Sequence, residues 1–116
     1  MANPNVVSVA QILGNTVTKA LPATLGTVIS AVPTDDVYKI NAIMCCNIHT
    51  AAVSVDIKIN KGTGDDVFLV KGLSIPVGAT LDVLNKPIYL MEGDVLEANS
   101  TATSYVDMTV SYEDIS

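Results

Sequence analysis

The chain of 116 residues contains no Trp and no Arg, a single Phe, a single His and two Cys. Each shortage excludes something. Without Arg, and with only six Lys against twelve acidic residues, the net charge is −6. A nucleic-acid partner is not expected, because phosphate contacts need clustered cations and guanine is most often read by a bidentate Arg. Without Trp, and with 4% aromatic residues overall, the sequence lacks the flat apolar platforms on which sugars stack. The two cysteines, Cys45 and Cys46, are adjacent, so in a strand they point to opposite faces and do not pair with each other. No C-x-x-C spacing exists for zinc, so no metal or cofactor is expected and both thiols are read as reduced. No apolar run approaches the ~18 residues of a membrane span. The opening Met1-Ala2-Asn3-Pro4-Asn5 carries no cation and the first Lys is Lys19, so synthesis in a cytoplasm is expected, without a membrane partner. Asn99-Ser100-Thr101 spells a glycosylation acceptor, read here as chance.

What is present is aliphatic. Hydrophobic residues make up 49% of the chain, which points to a core of Val, Ile, Leu and Ala with Met as filler. This composition favours pleated strands over helices. The period confirms the class. Val53, Val55, Ile57 and Ile59 alternate with Ser54, Asp56, Lys58 and Asn60, a repeat of two that a helix would scatter. In the closing segment Val106, Met108, Val110 and Tyr112 form an inner row and Asp107, Thr109, Ser111 and Glu113 an outer one. Between Val37 and Ile48, the row Tyr38, Ile40, Ala42, Met44, Cys46 and Ile48 is assigned to the core. Lys39, Asn41 and Asn47 then face outward, with Ile43 and Cys45 as apolar exceptions. Turns are marked by Gly14-Asn15, Pro33-Thr34-Asp35-Asp36, the 61–66 run, Pro76 with Gly78, and Glu92-Gly93-Asp94. Pro87 places the next segment at an edge or makes it begin there. The expected fold is all-β: an antiparallel sandwich, jelly-roll or immunoglobulin-like, of about eight or nine short strands. Residues 1–14 form an N-terminal arm or first strand, and residues 15–116 form the single sandwich domain.

No reactive constellation interrupts this pattern. His49 follows a strand and is read as an exposed loop residue, since nothing places a nucleophile and an orienting acid beside it. The Gly62-Thr63-Gly64-Asp65-Asp66 run lacks the Lys-Ser/Thr of a phosphate loop and the spacing of an EF-hand. It is read as a hairpin turn, with a weak ion site as the open alternative. Asp35-Asp36 and Glu92/Asp94 are carboxylate pairs of the kind glycosidases use. Their Pro and Gly neighbours assign them to turns. An enzyme is not expected.

Several segments carry a resemblance. They are Val37-Tyr38-Lys39-Ile40-Asn41 leading to Asn47, Ile75-Pro76-Val77-Gly78, Lys86-Pro87-Ile88-Tyr89-Leu90, Glu92-Gly93-Asp94-Val95-Leu96 and Val110-Ser111-Tyr112-Glu113. In these the chain resembles the small all-β virion proteins of tailed bacteriophages, especially the capsid decoration (cement) proteins of phages that infect cyanobacteria and marine bacteria. The resemblance implies a non-enzymatic virion protein on the outer capsid surface, made in the host cytoplasm. It further implies a homo-oligomer, trimers being favoured, that bridges major capsid subunits or other virion proteins. A neck, tail or fibre subunit and, from another class, a host-surface or glycan-binding module are the alternatives. Under this reading the contact residues are Val6, Val7, Val9, Ile12 and Leu13 of the arm, apolar enough to add to a neighbouring sheet. Ile43 and Cys45 join them on the outward face of their strand.

Overall fold

The computed structural model describes residues 11–61 and 66–116. Nine strands form: β1 (Ile12–Ala20), β2 (Gly26–Ile29), β3 (Val37–Asn47), β4 (Val53–Asn60), β5 (Val67–Ile75), β6 (Thr80–Asp82), β7 (Ile88–Leu90), β8 (Val95–Ser100) and β9 (Val106–Ile115). There is no helix among the described residues. One sheet has the order β1-β9-β3-β6, with β7 also paired to β3; the other has the order β2-β8-β4-β5.

The pairings share one logic. Ile12 faces Ile115, Thr27 faces Glu97, Tyr38 faces Leu90 and Ile59 faces Val67, all antiparallel. Among the described residues the first half of the chain therefore runs against the second, from Ile12 and Ile115 to Ile59 and Val67. This one long hairpin is rolled so that β9 also pairs with β3, and β8 with β4. A rolled hairpin whose strands alternate between two sheets is a jelly roll. Of the two sandwich types the sequence left open, the topology selects this one.

The core lies between the sheets. Val53, Val55, Ile57 and Ile59 of β4, with Leu96 and Ala98 of the neighbouring β8, meet Ile43 and Cys45 of β3 and Val106, Met108 and Val110 of β9 in one buried cluster. The inner rows expected for β4 and for the first part of β9 are the rows observed. Each fully buried aliphatic side chain is worth about 1.5–3 kcal/mol, so this cluster is the main favourable term of the fold.

Strand β3 departs from the expected phase. Its register against β9 slips between Ile40, which faces Tyr112, and Ala42, which faces Ser111. Asn41 is thus an extra residue, a β-bulge, and a bulge shifts every later side chain to the opposite face. Before it Ile40 points inward as expected. After it Ile43, Cys45 and Asn47 are buried while Met44 is exposed. Strand β1 differs as well. It continues through Gly14 and Asn15, in unbroken register with β9, where a turn was expected. As an edge strand with most of its side chains exposed, it puts little packing demand on those positions.

Candidate functional site

The roll collects its loops at two ends, and each end is fastened by one buried polar side chain. At one end meet residues 30–36, Lys61 and residues 91–94. Asp94 is buried there. Its Oδ2 accepts from Lys61 Nζ at 2.6 Å and from the Met91 N–H at 2.9 Å. The Asp94 carbonyl accepts from the Val32 N–H, and the Val32 carbonyl accepts from the Gly93 N–H. The Asp94 carboxylate thereby ties its own loop to Lys61, and the backbone of residues 93–94 ties that loop to Val32. The Asp35 N–H donates to Glu92 Oε2 at 2.9 Å, so the structure brings together the two carboxylate pairs singled out in the sequence. Glu92 accepts from backbone, and Asp94 from backbone and from Lys61. Among the described residues no group of His, Cys, Asp or Glu is arranged to hold a metal ion.

Beside this corner Asp114 of β9 stands opposite Tyr38, whose ring packs against that of Tyr112 with centroids 4.8 Å apart. Asp114 Oδ1 is buried with no donor facing it. Burial, and then the neighbouring carboxyl of Asp36 through a side-chain hydrogen bond and its charge, push the Asp114 carboxyl up to about 6. Two carboxyls can share such a bond only when one is protonated. The same burial, followed by the Asp114 charge, raises the Tyr38 and Tyr112 hydroxyls above their ordinary range.

At the opposite end meet residues 21–25, 48–52, 76–79 and 101–105, none of which is Asp, Glu or Lys. Here Asn47 is the fastener. Its Nδ2 donates to the carbonyls of Ala51, Ile75 and Pro76 at 3.0, 2.9 and 3.2 Å, and its Oδ1 accepts from the His49 N–H at 2.8 Å. The sequence assigned Asn47 to the outer face; the bulge at Asn41 turns it inward, where only a side chain with both donors and an acceptor satisfies these loops. His49 is half-buried rather than exposed. Its ring lies flat on Tyr105, with centroids 3.6 Å apart and planes 7° from parallel.

The contact residues separate into three groups. Val6, Val7 and Val9 lie outside the described residues, as do Gly62 to Asp65 of the candidate turn. Ile12 and Leu13 open β1 and are 56% and 48% exposed. Ile43 and Cys45 are 0% exposed in the core. The outward placement of that pair is corrected, since a side chain without surface cannot touch a neighbour. Burial also pushes the Cys45 thiol up to about 11, away from reactivity.

The four sheet edges differ in kind. Strand β5 is bulged where Lys71 and Gly72 face the single residue Asp56; Gly72 adopts a φ of +67° and donates its N–H to Asp56 Oδ1 at 2.7 Å. Phe68 on that edge has the ammonium groups of Lys58 and Lys71 over its ring, at 5.9 and 4.6 Å from the centroid, and Lys58 pairs with Asp66 at 3.1 Å. Strand β2 has four residues and a bulge between Thr27 and Ile29. The edge beyond β3 is split into β6 and β7, of three residues each, with Pro87 between them. Strand β1 has nine residues, no bulge against β9, no Pro and one charge, Lys19.

No family model matches this sequence, and no curated protein does. Solved structures do match the fold. One is a protein of Bacillus endospore appendages, described as a novel family of disulfide-linked pili; the TM-score is 0.54 at 15% identity, over 90% of this chain and 88% of that one. Another is a chain of the T13 viral particle of IBDV, with a TM-score of 0.55 at 10% identity over 93% of this chain. This chain spans 32% of that viral chain, about a third of its length. Both likenesses are ones of fold.

Proposed function

We propose that this protein is a non-catalytic structural subunit of a multi-copy assembly, and specifically a bacteriophage capsid decoration protein that bridges major capsid subunits on the mature head. The observation that carries the reading is the use made of the polar side chains. Asp94 and Asn47 fasten loops, Asp56 closes a bulge, His49 is stacked on Tyr105 and Cys45 is sealed in the core. The groups that could act on a substrate instead stiffen a sandwich. A stiff module that engages several neighbours at once needs only modest individual contacts, because each contact raises the effective concentration of the next. The likeness to a pilus protein and to part of a viral particle supports a role in assembly.

The test uses heads that lack the protein. Purified protein is added to expanded heads and their resistance to heat is measured; saturable binding over the shell with a raised disruption temperature is expected. Absence of binding overturns the decoration reading. Binding confined to one vertex replaces it with a neck or tail position, and a hit on a glycan array together with no binding to heads replaces it with a recognition module.

A filament subunit is a second reading, favoured by one observation: the match to the pilus protein runs the length of both chains. Cross-linking in such a filament would not pass through Cys45, which is buried.

A further inference from the structure

We propose that two copies of this chain pair through β1, edge to edge and antiparallel, so that the sheet containing β1 continues across a two-fold axis into the same sheet of the second copy. This goes beyond the decoration reading and does not depend on it. An edge strand presents unpaired N–H and C=O groups that template another strand, and folded proteins blunt such edges with bulges, prolines, charges or short length. Three of the four edges here are blunted in these ways: β5 by bulges and lysines, β2 by its length and a bulge, and the β6/β7 edge by its interruption at Pro87. Strand β1 is not. Nothing among the described residues pairs with its free side, and it begins with the exposed apolar pair Ile12 and Leu13.

The occupant follows by elimination. Among the described strands a second copy has one edge fit to accept a strand, its own β1, so the contact is isologous and closes as a dimer. The side chains set the register. Val17 faces Val110 of the inner row, so Leu13, Asn15, Val17 and Lys19 share the inward phase of β1. Centring the two-fold on Asn15 places Leu13 opposite Val17 of the second copy and Asn15 opposite Asn15. On the other face Ile12 then meets Thr18. Lys19, the only charge of the strand, falls beyond the paired length. Centring on Thr16 would instead set Leu13 against Lys19 and Asn15 against Val17. On the inward face the first register matches apolar with apolar and amide with amide, and cross-strand pairs of this kind stabilise a sheet. The strand holds no acid, so two chains of net charge −6 meet here without opposing carboxylates.

The experiment is sedimentation of the full chain from about 1 µM to about 1 mM, with amide hydrogen exchange of β1 followed at both limits. A dimer is expected at high concentration, with N–H groups of β1 gaining protection as it forms. Asn15 is exposed in the single chain, so Asn15→Asp and Asn15→Lys leave the core untouched. Each alone places like charges across the axis and is expected to raise the dissociation constant about ten-fold or more. An equimolar mixture of the two variants places opposite charges there, and is expected to restore the dimer. A chain that stays monomeric throughout, with β1 exchanging freely, overturns the proposal. So does a dimer or trimer that survives both single variants. Should a variant fail to fold, the concentration dependence of exchange in the unaltered chain decides. The outcome is independent of binding to heads, so the failure of either reading is recognised separately.

Discussion

Replacing Asp114 by Asn should stabilise the protein at neutral pH and do little in acid. In the native chain this carboxyl titrates near 6 because it is buried and shares a corner with Asp36; its ordinary value is 3.8. The folded state therefore binds the proton more tightly than the unfolded state does. For a carboxyl raised in this way the favourable contribution is complete below about pH 4 and is lost as the pH climbs through about 6. A shift of this size corresponds to a ceiling of about 3 kcal/mol at 1.36 kcal/mol per unit. Asp114 is half-buried and coupled to a second carboxyl, and solvent screening brings the figure to about 1–2 kcal/mol. Asn keeps the shape of the protonated acid and supplies a permanent donor for the corner. Urea unfolding of both proteins at about pH 3.5 and about pH 7.5 reads the effect. The Asn variant should exceed the parent by about 1–2 kcal/mol at the higher pH and match it closely at the lower. Other carboxylates move both proteins alike and cancel in the difference. Asp36→Asn should give a smaller gain at the higher pH, because it removes the like charge while the burial of Asp114, the larger cause, remains. If Asp114→Asn instead destabilises equally at both pH values, the carboxylate is an acceptor that the fold needs ionised, and the reasoning fails.

Two further perturbations probe the fasteners and the core. Asn47→Ala strands three loop carbonyls and the His49 N–H, and is expected to cost about 2–3 kcal/mol in urea unfolding; Asn47→Asp, nearly the same shape, should cost more because it turns an oxygen toward those carbonyls. With Cys46 changed to Ser, Cys45 should label with a thiol reagent at pH 8 only as fast as the protein unfolds, since its thiol is fully buried and pushed up to about 11. Rapid labelling of the native variant would contradict the inward phase of β3.

Strand content was legible because β4 and β9 carry an undisturbed period of two. Val53, Val55, Ile57 and Ile59 needed no structure to be placed inside. Strand β3 was misread from residue 42 onward, and the reason is local. A single unpaired residue, Asn41, moves the apolar row from one phase to the other. The sign of it was in the sequence: Ile43 and Cys45, set aside as apolar exceptions in a polar row, are the start of the new inner row. Asn47 hid the change, because a polar residue at an inward position reads as outward until its loop partners are known. Those partners, Ile75 and Pro76, are distant in the chain, and no periodicity reports them. Asp36 and Asp114 are likewise far apart in sequence and meet only because the hairpin returns β9 beside β3. In β1 the Gly14-Asn15 pair looked like a turn because flexible and polar residues usually are. An edge strand with exposed side chains tolerates them, since β9 needs only their backbone.

The same bulge links the fold to its use. By turning Ile43 and Cys45 inward it removes the apolar residues that would otherwise mark the outer face of β3. What then faces outward from β3 beyond the bulge is Ala42, Met44 and Cys46, beside Thr109 and Ser111 of β9 and Thr16 and Thr18 of β1. Charge borders that set, since Asp82 of β6 stands opposite Met44 and Asp107 of β9 opposite Cys46. The outer face of the other sheet carries Asp56, Lys58 and Glu97, with Lys71 paired to Asp56. Both faces of the sandwich therefore hold ions that keep them wetted, because burying unpaired charge is costly. Neither face is set apart by its side chains, so it is the backbone of β1, long and unbulged against β9, that makes one side of the molecule unlike the others.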